Sequence, residues 1–172
     1  KNRATLRYSL QGGVDGYTIA RPDILGAYDL FSDAETVDID YLLMGPSMSG
    51  IDDTIAKAQH VISIAAARKD CIAYISPYRG DVIGQTKTST IVSRTVNYFD
   101  QLSSTSYAVF DNNYKYIYDK YSDKYRYIPC NADVAGLTLS TTLAQEPWFS
   151  PAGFNRGQLR NAIKLAYSPL KD

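Results

Sequence analysis

"VDIDYLLMGPSMSGIDDTIAKAQHVISIAAARKDCIAYIS", residues 37–76, decides how this chain folds. In its first part Val37, Ile39, Tyr41 and Leu43 alternate with Asp38, Asp40 and Leu42, the pattern of a strand entering a core. "PSMSG" (46–50) is a loop, and from Ile51 the period changes. Ile51, Ile55, Ala58, Ile62 and Ala65 then form one helical stripe. Asp52 and Asp53 suit the positive end of that helix, and Arg68 and Lys69 its negative end. "CIAYIS" (71–76) is a continuous apolar run of strand length, expected to be buried on both faces and ended by Pro77 and Gly80. Strand, helix, strand is the grammar of a parallel pair joined by a crossover helix.

Downstream the grammar continues. Thr86 to Leu102 reads as a second helix with Ile91, Thr95, Phe99 and Leu102 on one face, and "SYAVFD" (106–111) as a third buried strand. The expected fold is therefore α/β, a mostly parallel sheet with flanking helices. In "NYKYIYDKYSDKYRYIP" (113–129), Tyr114, Tyr116 and Tyr118 alternate up to a polar turn, and Tyr125 and Tyr127 resume after it. That is a tyrosine-rich β-hairpin leaving the main sheet. "NADVAGLTLSTTLAQE" (131–146) is a helix with Asn131 as its cap and Val134, Leu137, Thr141 and Ala144 facing inward.

Upstream, Gly12, Gly13 and Gly16 around Asp15 give turn chemistry. "RPDILGAYDLF" is a short helix, with Pro22 near its start and Ile24, Leu25, Tyr28 and Phe31 on one side.

The stretch "EPWFSPAGFNRGQLRNAIKLAYSP" (146–169) holds the one tryptophan, Trp148. Arg156, Arg160 and Lys164 stand four residues apart and read as the basic side of a helix, with Leu159, Ile163 and Ala166 opposite. That side is either wet surface or a contact made through charge complementarity. Trp148 reads as an anchor pinning the "SPAG" turn to the core. A buried ring makes Trp148→Ala cost roughly 3–5 kcal/mol, and a loss under ~1 kcal/mol marks an exposed one.

Composition narrows the function. Of 172 residues, 45% are hydrophobic, which suffices for a core. Basic and acidic residues balance at 18 each, which argues against phosphate-backbone binding and against a polybasic membrane anchor. No run approaches the ~20 apolar residues of a membrane span. The start at Lys1, without an apolar leader segment, raises the expectation of a central piece of a longer polypeptide. Cys71 and Cys130 are expected to be buried free thiols. Fifteen tyrosines against five phenylalanines suit half-buried strands and subunit interfaces.

Catalytic patterns fail one by one. Gly45 and Gly50 have phosphate-loop spacing, but Ile51 and Asp52 follow where lysine and a hydroxyl residue belong. No dinucleotide fingerprint occurs. The nucleophile-elbow pattern is broken, because Ser49 stands where the second glycine belongs. His60, the single histidine, sits in mid-helix and reads as structural. One histidine and two distant cysteines make no conventional zinc site. The pairs Asp38/Asp40, Asp52/Asp53 and Asp119/Asp123 read as solvated rather than cation-binding or acid–base groups. A hydrolase would need His60 within reach of a serine and a carboxylate. A binding module would need tyrosines around a concave pocket. The expectation is no enzyme, no cofactor and no metal.

One resemblance fits these absences. Pro129, the pair Ala135-Gly136, Trp148 with Ser150, Pro151, Ala152 and Gly153, and then Arg156-Gly157 resemble the contractile tail sheath proteins of bacteriophages with myovirus-type tails. "GGVDG" (12–16) followed by "LFSDAETVDIDYLLMG" (30–45) is similar to that family too. The resemblance covers nearly the whole chain, is strong for the T-even-like branch, and has its most specific motif in W-x-S-P-A-G. It implies a subtilisin-like sheath core without protease chemistry. Residues 1–35 would be a leading segment from preceding domains, and residues 36–172 the core, truncated at its C-terminal end.

It further implies a structural subunit that polymerises helically around the tail tube. Contraction then drives the tube through the host envelope for genome delivery. Implied partners are further copies of itself, the tail tube protein, the baseplate and the tail terminator, with no nucleic acid and no membrane insertion. Arg156, Arg160 and Lys164 would then contact a neighbouring subunit or the tube. The implied location is the virion tail sheath, assembled in the bacterial host cytoplasm. The alternatives are a sheath subunit of a related bacteriocin or secretion machine, or a hydrolase with a subtilisin-like fold.

Overall fold

The computed structural model describes residues 7–13, 16 and 19–168. β1 (Tyr41–Leu43), β2 (Ile72–Ile75) and β3 (Ala108–Phe110) form a parallel sheet in that order. Tyr41 lies opposite Ile72, and Tyr74 opposite Val109. α2 (Ile51–Arg68) is the crossover from β1 to β2, while α3 (Arg79–Val82) and α4 (Thr88–Phe99) connect β2 to β3. β2 is apolar throughout because it is the middle strand and both of its faces are covered. Ala73 and Ile75 pack with Ala58, Val61, Ile62 and Ala65 of α2. Tyr74 points the other way, and α5 (Asn131–Ala144) packs on β2.

The alternation expected around β1 runs in the opposite sense. Leu42 and Met44 are the buried residues, and Leu43 is exposed. The misleading pattern came from Asp38 and Asp40, which lie before the strand begins. The third strand is also not buried. β3 is a sheet edge, and Val109 and Phe110 are 37% and 39% exposed.

Both ends of α2 are fixed locally. Thr54 in its first turn accepts the Met48 N–H at 3.0 Å. At the other end Lys69 turns left-handed, with φ of 64°. The Arg68 guanidinium, 1% exposed, donates to the carbonyls of Phe31 and Val37 and to Asp70, clipping residues 31–37 onto the helix. α1 (Arg21–Asp29) carries proline in its first turn and packs on α2. Its Tyr28 hydroxyl lies 2.8 Å from the Leu43 and Met44 carbonyls at the end of β1. Within α4 the buried residues are Ile91, Thr95 and Tyr98, and Leu102 is buried just beyond it.

The hairpin forms as read. β4 (Tyr114–Asp119) pairs antiparallel with β5 (Lys124–Pro129). Asp123 takes the left-handed turn position, and Asp119 accepts the N–H of Tyr121. β6 (Lys164–Leu165) pairs with the other side of β4. It occupies part of the stretch expected to be a basic helix. No helix forms there: Asn161 is left-handed, and the N–H groups of Ile163 and Ala166 go to the carbonyls of Tyr116 and Tyr114. The open edge of β4 overrides local helix preference.

Asn131 does not cap α5. It is buried, its amide donates to the Gly45 carbonyl at 2.8 Å, and Cys130 holds the cap position. On α5, Ala135 and Thr141 are buried, Val134 and Leu137 are half-buried, and Ala144 is exposed. Cys71 and Cys130 are both buried and free, as expected. Among the described residues no helix is long and apolar enough to cross a membrane. The readings at Asp15 and Pro169 fall outside the described residues.

Candidate functional site

The motif residues from Trp148 to Gly157 lie where α5 ends and the chain returns towards β6. A cleft of 660 Å³ lies between α5 and residues 155–160, with Asp133, Gly136, Arg156 and Arg160 in its walls. The turn below it closes on itself. The Arg156 side chain donates from Nε to the Ser150 carbonyl at 2.8 Å, and its guanidinium covers the Phe149 ring at 4.8 Å. The Ala152 N–H donates to the Ser150 hydroxyl at 3.2 Å, and the Gly157 N–H to the Gly153 carbonyl at 2.7 Å. Gly153 has φ of 145°, open to glycine. A Cβ on Gly157 would stand 2.9 Å from the Gly153 backbone. Ser150, Pro151, Ala152, Gly153, Arg156 and Gly157 thus form one compact turn. Pro129 ends β5, and Ala135 is buried in α5.

Trp148 is the correction. It is 80% exposed and anchors nothing. Arg156 shapes the turn instead, through charge-assisted and ring contacts. Leu143 and Phe154 are exposed as well.

The basic side also dissolves. Arg156 is held in the turn, while Lys164, in β6, places Nζ over the Tyr116 ring at 5.2 Å. Arg160 contributes its carbonyl, which accepts from Lys115 Nζ at 3.1 Å. Arg156 and Arg160 still share the cleft, and Lys164 does not line it.

Two groups that sequence reading missed tie this region to the parallel sheet. Lys115 and Asp133 form a largely buried ion pair of 2.7 Å, with side chains 8% and 19% exposed. Asp111, just past β3, accepts from the Ser76 hydroxyl and the Asn113 N–H, and the Asn131 N–H donates to Ser76 in turn. Burial pushes the Asp111 carboxyl up to about 7, despite the opposing pull of those hydrogen bonds. Nothing periodic in sequence marks either group, because both are set by contacts between distant segments.

The catalytic candidates have ordinary partners. His60 Nε2 lies 2.8 Å from the Asp29 carboxylate, and Ser63 donates to the Gln59 carbonyl. Asp52 and Asp53 occupy the first turn of α2, and Asp53 meets Arg21 at 3.3 Å. Tyr116, Tyr118, Tyr125 and Tyr127 pack against one another along the hairpin. Among the described residues no cluster of His, Cys, Asp and Glu could hold a metal ion.

Comparison with known proteins gives a consistent result. Residues 18–172 match the family model of the phage tail sheath protein central domain. The chain is 40% identical to the tail sheath protein of Enterobacteria phage T4 over 170 residues, covering 92% of this chain and 26% of that protein. It is 34% identical to the tail sheath protein of Vibrio phage KVP40, covering 92% of the chain and 26% of the relative. Identity to the tail sheath protein of Salmonella phage ViI is 32%, over 95% of the chain and 24% of the relative. The chain therefore spans about a quarter of the length of these relatives. On these matches, the chain belongs to the phage tail sheath protein family.

Proposed function

We propose that this chain is the central part of a structural subunit of a contractile phage tail sheath. The subunit polymerises helically around the tail tube, and contraction drives the tube through the host envelope. Its partners are further copies of itself, the tail tube protein, the baseplate and the tail terminator. It works in the virion tail after assembly in the host cytoplasm, and as a force-transmitting part rather than an enzyme. Residues 1–35 lead in from preceding domains, and residues 36–172 form the core.

The observation that carries this reading is the motif turn. Its residues are spent on closing residues 150–157 upon themselves, while Leu143, Trp148 and Phe154 face outward. That arrangement displays a surface and converges no reactive groups. Repacking between rigid subunits is a known route to large switching motions. The relatives are phage proteins, which favours a phage tail over a bacteriocin or secretion machine.

Negative-stain electron microscopy of the complete sheath polypeptide tests it. The expected result is helical tubes, alone or around purified tail tubes. Dispersed monomer in the presence of tail tubes would sink the reading.

A further inference from the structure

A second cavity, of 450 Å³, opens beside the loop that follows β1. Ile19, Ile24, Tyr28, Met44 and Met48 supply largely apolar walls, and Lys57 from α2 lines it with them. Lys57 is 4% exposed. Its ammonium donates to the Pro46 carbonyl at 2.9 Å and sits 5.8 Å from the centre of the Tyr28 ring. Among the described residues no carboxylate lies within ion-pair distance of it. Asp53, one turn earlier on α2, is engaged by Arg21 instead.

An ammonium has three donors, and one carbonyl leaves its charge unmatched. Desolvation accordingly depresses the Lys57 pKa. A buried cation without a counter-charge is costly to keep. A cavity that holds one among aliphatic and thioether groups suits a carboxylate on an apolar stem. The methionines let its walls adapt.

The same molecule displays such a group elsewhere. Glu146 is exposed, between Leu143 at 79% and Trp148 at 80% exposure. This segment shares no residue with the cavity. A knob and a socket at different places on one chain make a heterologous, head-to-tail contact, which propagates as an open helix unless it closes into a ring.

We propose that the Lys57 cavity receives Glu146 and its apolar flanks from a second copy of the chain. The proposal rests on the sheath reading for its occupant. The chain contains two methionines, and both line the cavity, so methyl-labelled methionine gives two NMR signals from its walls, Met48 from the loop and Met44 from the side of the core. The probe is a capped peptide of residues 143–150, titrated into the 172-residue chain. Both methyl signals should shift saturably. The Glu146→Gln peptide should bind at least about tenfold more weakly, as loss of a buried charge-assisted contact requires. Lys57→Leu should abolish that discrimination; should this variant fail to fold, the two peptides on the unaltered chain decide the matter.

Equal shifts with both peptides, or none with either, overturn the proposal. So does a result in which hexanoate binds and the peptide does not, which reassigns the cavity to small carboxylic acids. Tube formation by the complete polypeptide is scored separately. Tubes without peptide binding refute this socket alone, and peptide binding without tubes refutes the sheath reading alone.

Discussion

Asp111 holds its carboxyl where ionisation is penalised. Its folded pKa of about 7 lies above the ~3.9 of an unfolded aspartate. Between those values the folded chain binds more protons than the unfolded one. The contribution to stability is therefore full below about pH 4, declines as pH rises towards about 7, and then levels off. Asp111→Asn should remove that decline, so urea midpoints of the two proteins should diverge between pH 4.5 and 7.5. Asp70 and Asp119, whose pKa values are lowered by the Arg68 and Ser122 hydrogen bonds, act in the opposite sense but equally in both proteins. Parallel pH profiles would refute the assignment.

Two neighbours in the motif turn should respond in opposite ways. Trp148→Ala should change stability by less than ~1 kcal/mol, because an exposed ring loses little on truncation. Gly157→Ala should cost about 1–3 kcal/mol, since the methyl group would press on the Gly153 backbone. Thermal unfolding of the two variants side by side tests both; the reverse order would show that the ring is anchored after all.

At the level of elements, the hairpin is attached through Lys115 and Asp133. Asp133→Ala leaves the buried Lys115 ammonium with the Arg160 carbonyl but no counter-charge, and should cost about 3–5 kcal/mol. Replacing both partners, Lys115→Met with Asp133→Leu, should recover most of that loss in urea unfolding. A double variant as unstable as the single one would mean that the charges themselves are required.

α2 and the hairpin were legible in sequence because each carries its own period, and β2 because an unbroken apolar run of strand length marks a strand covered on both faces. Ala73 and Ile75 face one side of the sheet and Tyr74 the other, and the tyrosines pair across β4 and β5. β6 was illegible, since Lys164 and Leu165 become a strand only where β4 offers an edge. The exposure of Val109 and Phe110 follows from sheet order, which no local pattern records. Trp148 misled because tryptophan is usually well buried, and its turn is closed by Arg156 instead. The motif residues were readable as a set, but the contacts joining them were not.

Across the whole molecule, the two sheets are joined by a second apolar cluster, Val82, Ile91, Tyr114 and Tyr167, edged by a seam of hydrogen bonds. Tyr114 donates to the Pro77 carbonyl, Asn113 to the Tyr167 carbonyl, and Asn131 to the Gly45 carbonyl. That seam fixes the hairpin and the returning C-terminal strand relative to the parallel sheet.

The two buried thiols give the chain an internal gauge of its own opening. Cys71 lies at the start of the central strand and Cys130 at the seam, and burial raises both pKa values, that of Cys130 to about 12. Neither presents a thiolate to solvent while the fold is closed. Maleimide labelling followed by peptide mass spectrometry should therefore read out two local opening rates without any introduced probe. Faster labelling at Cys130 than at Cys71 would show the seam loosening before the parallel sheet does.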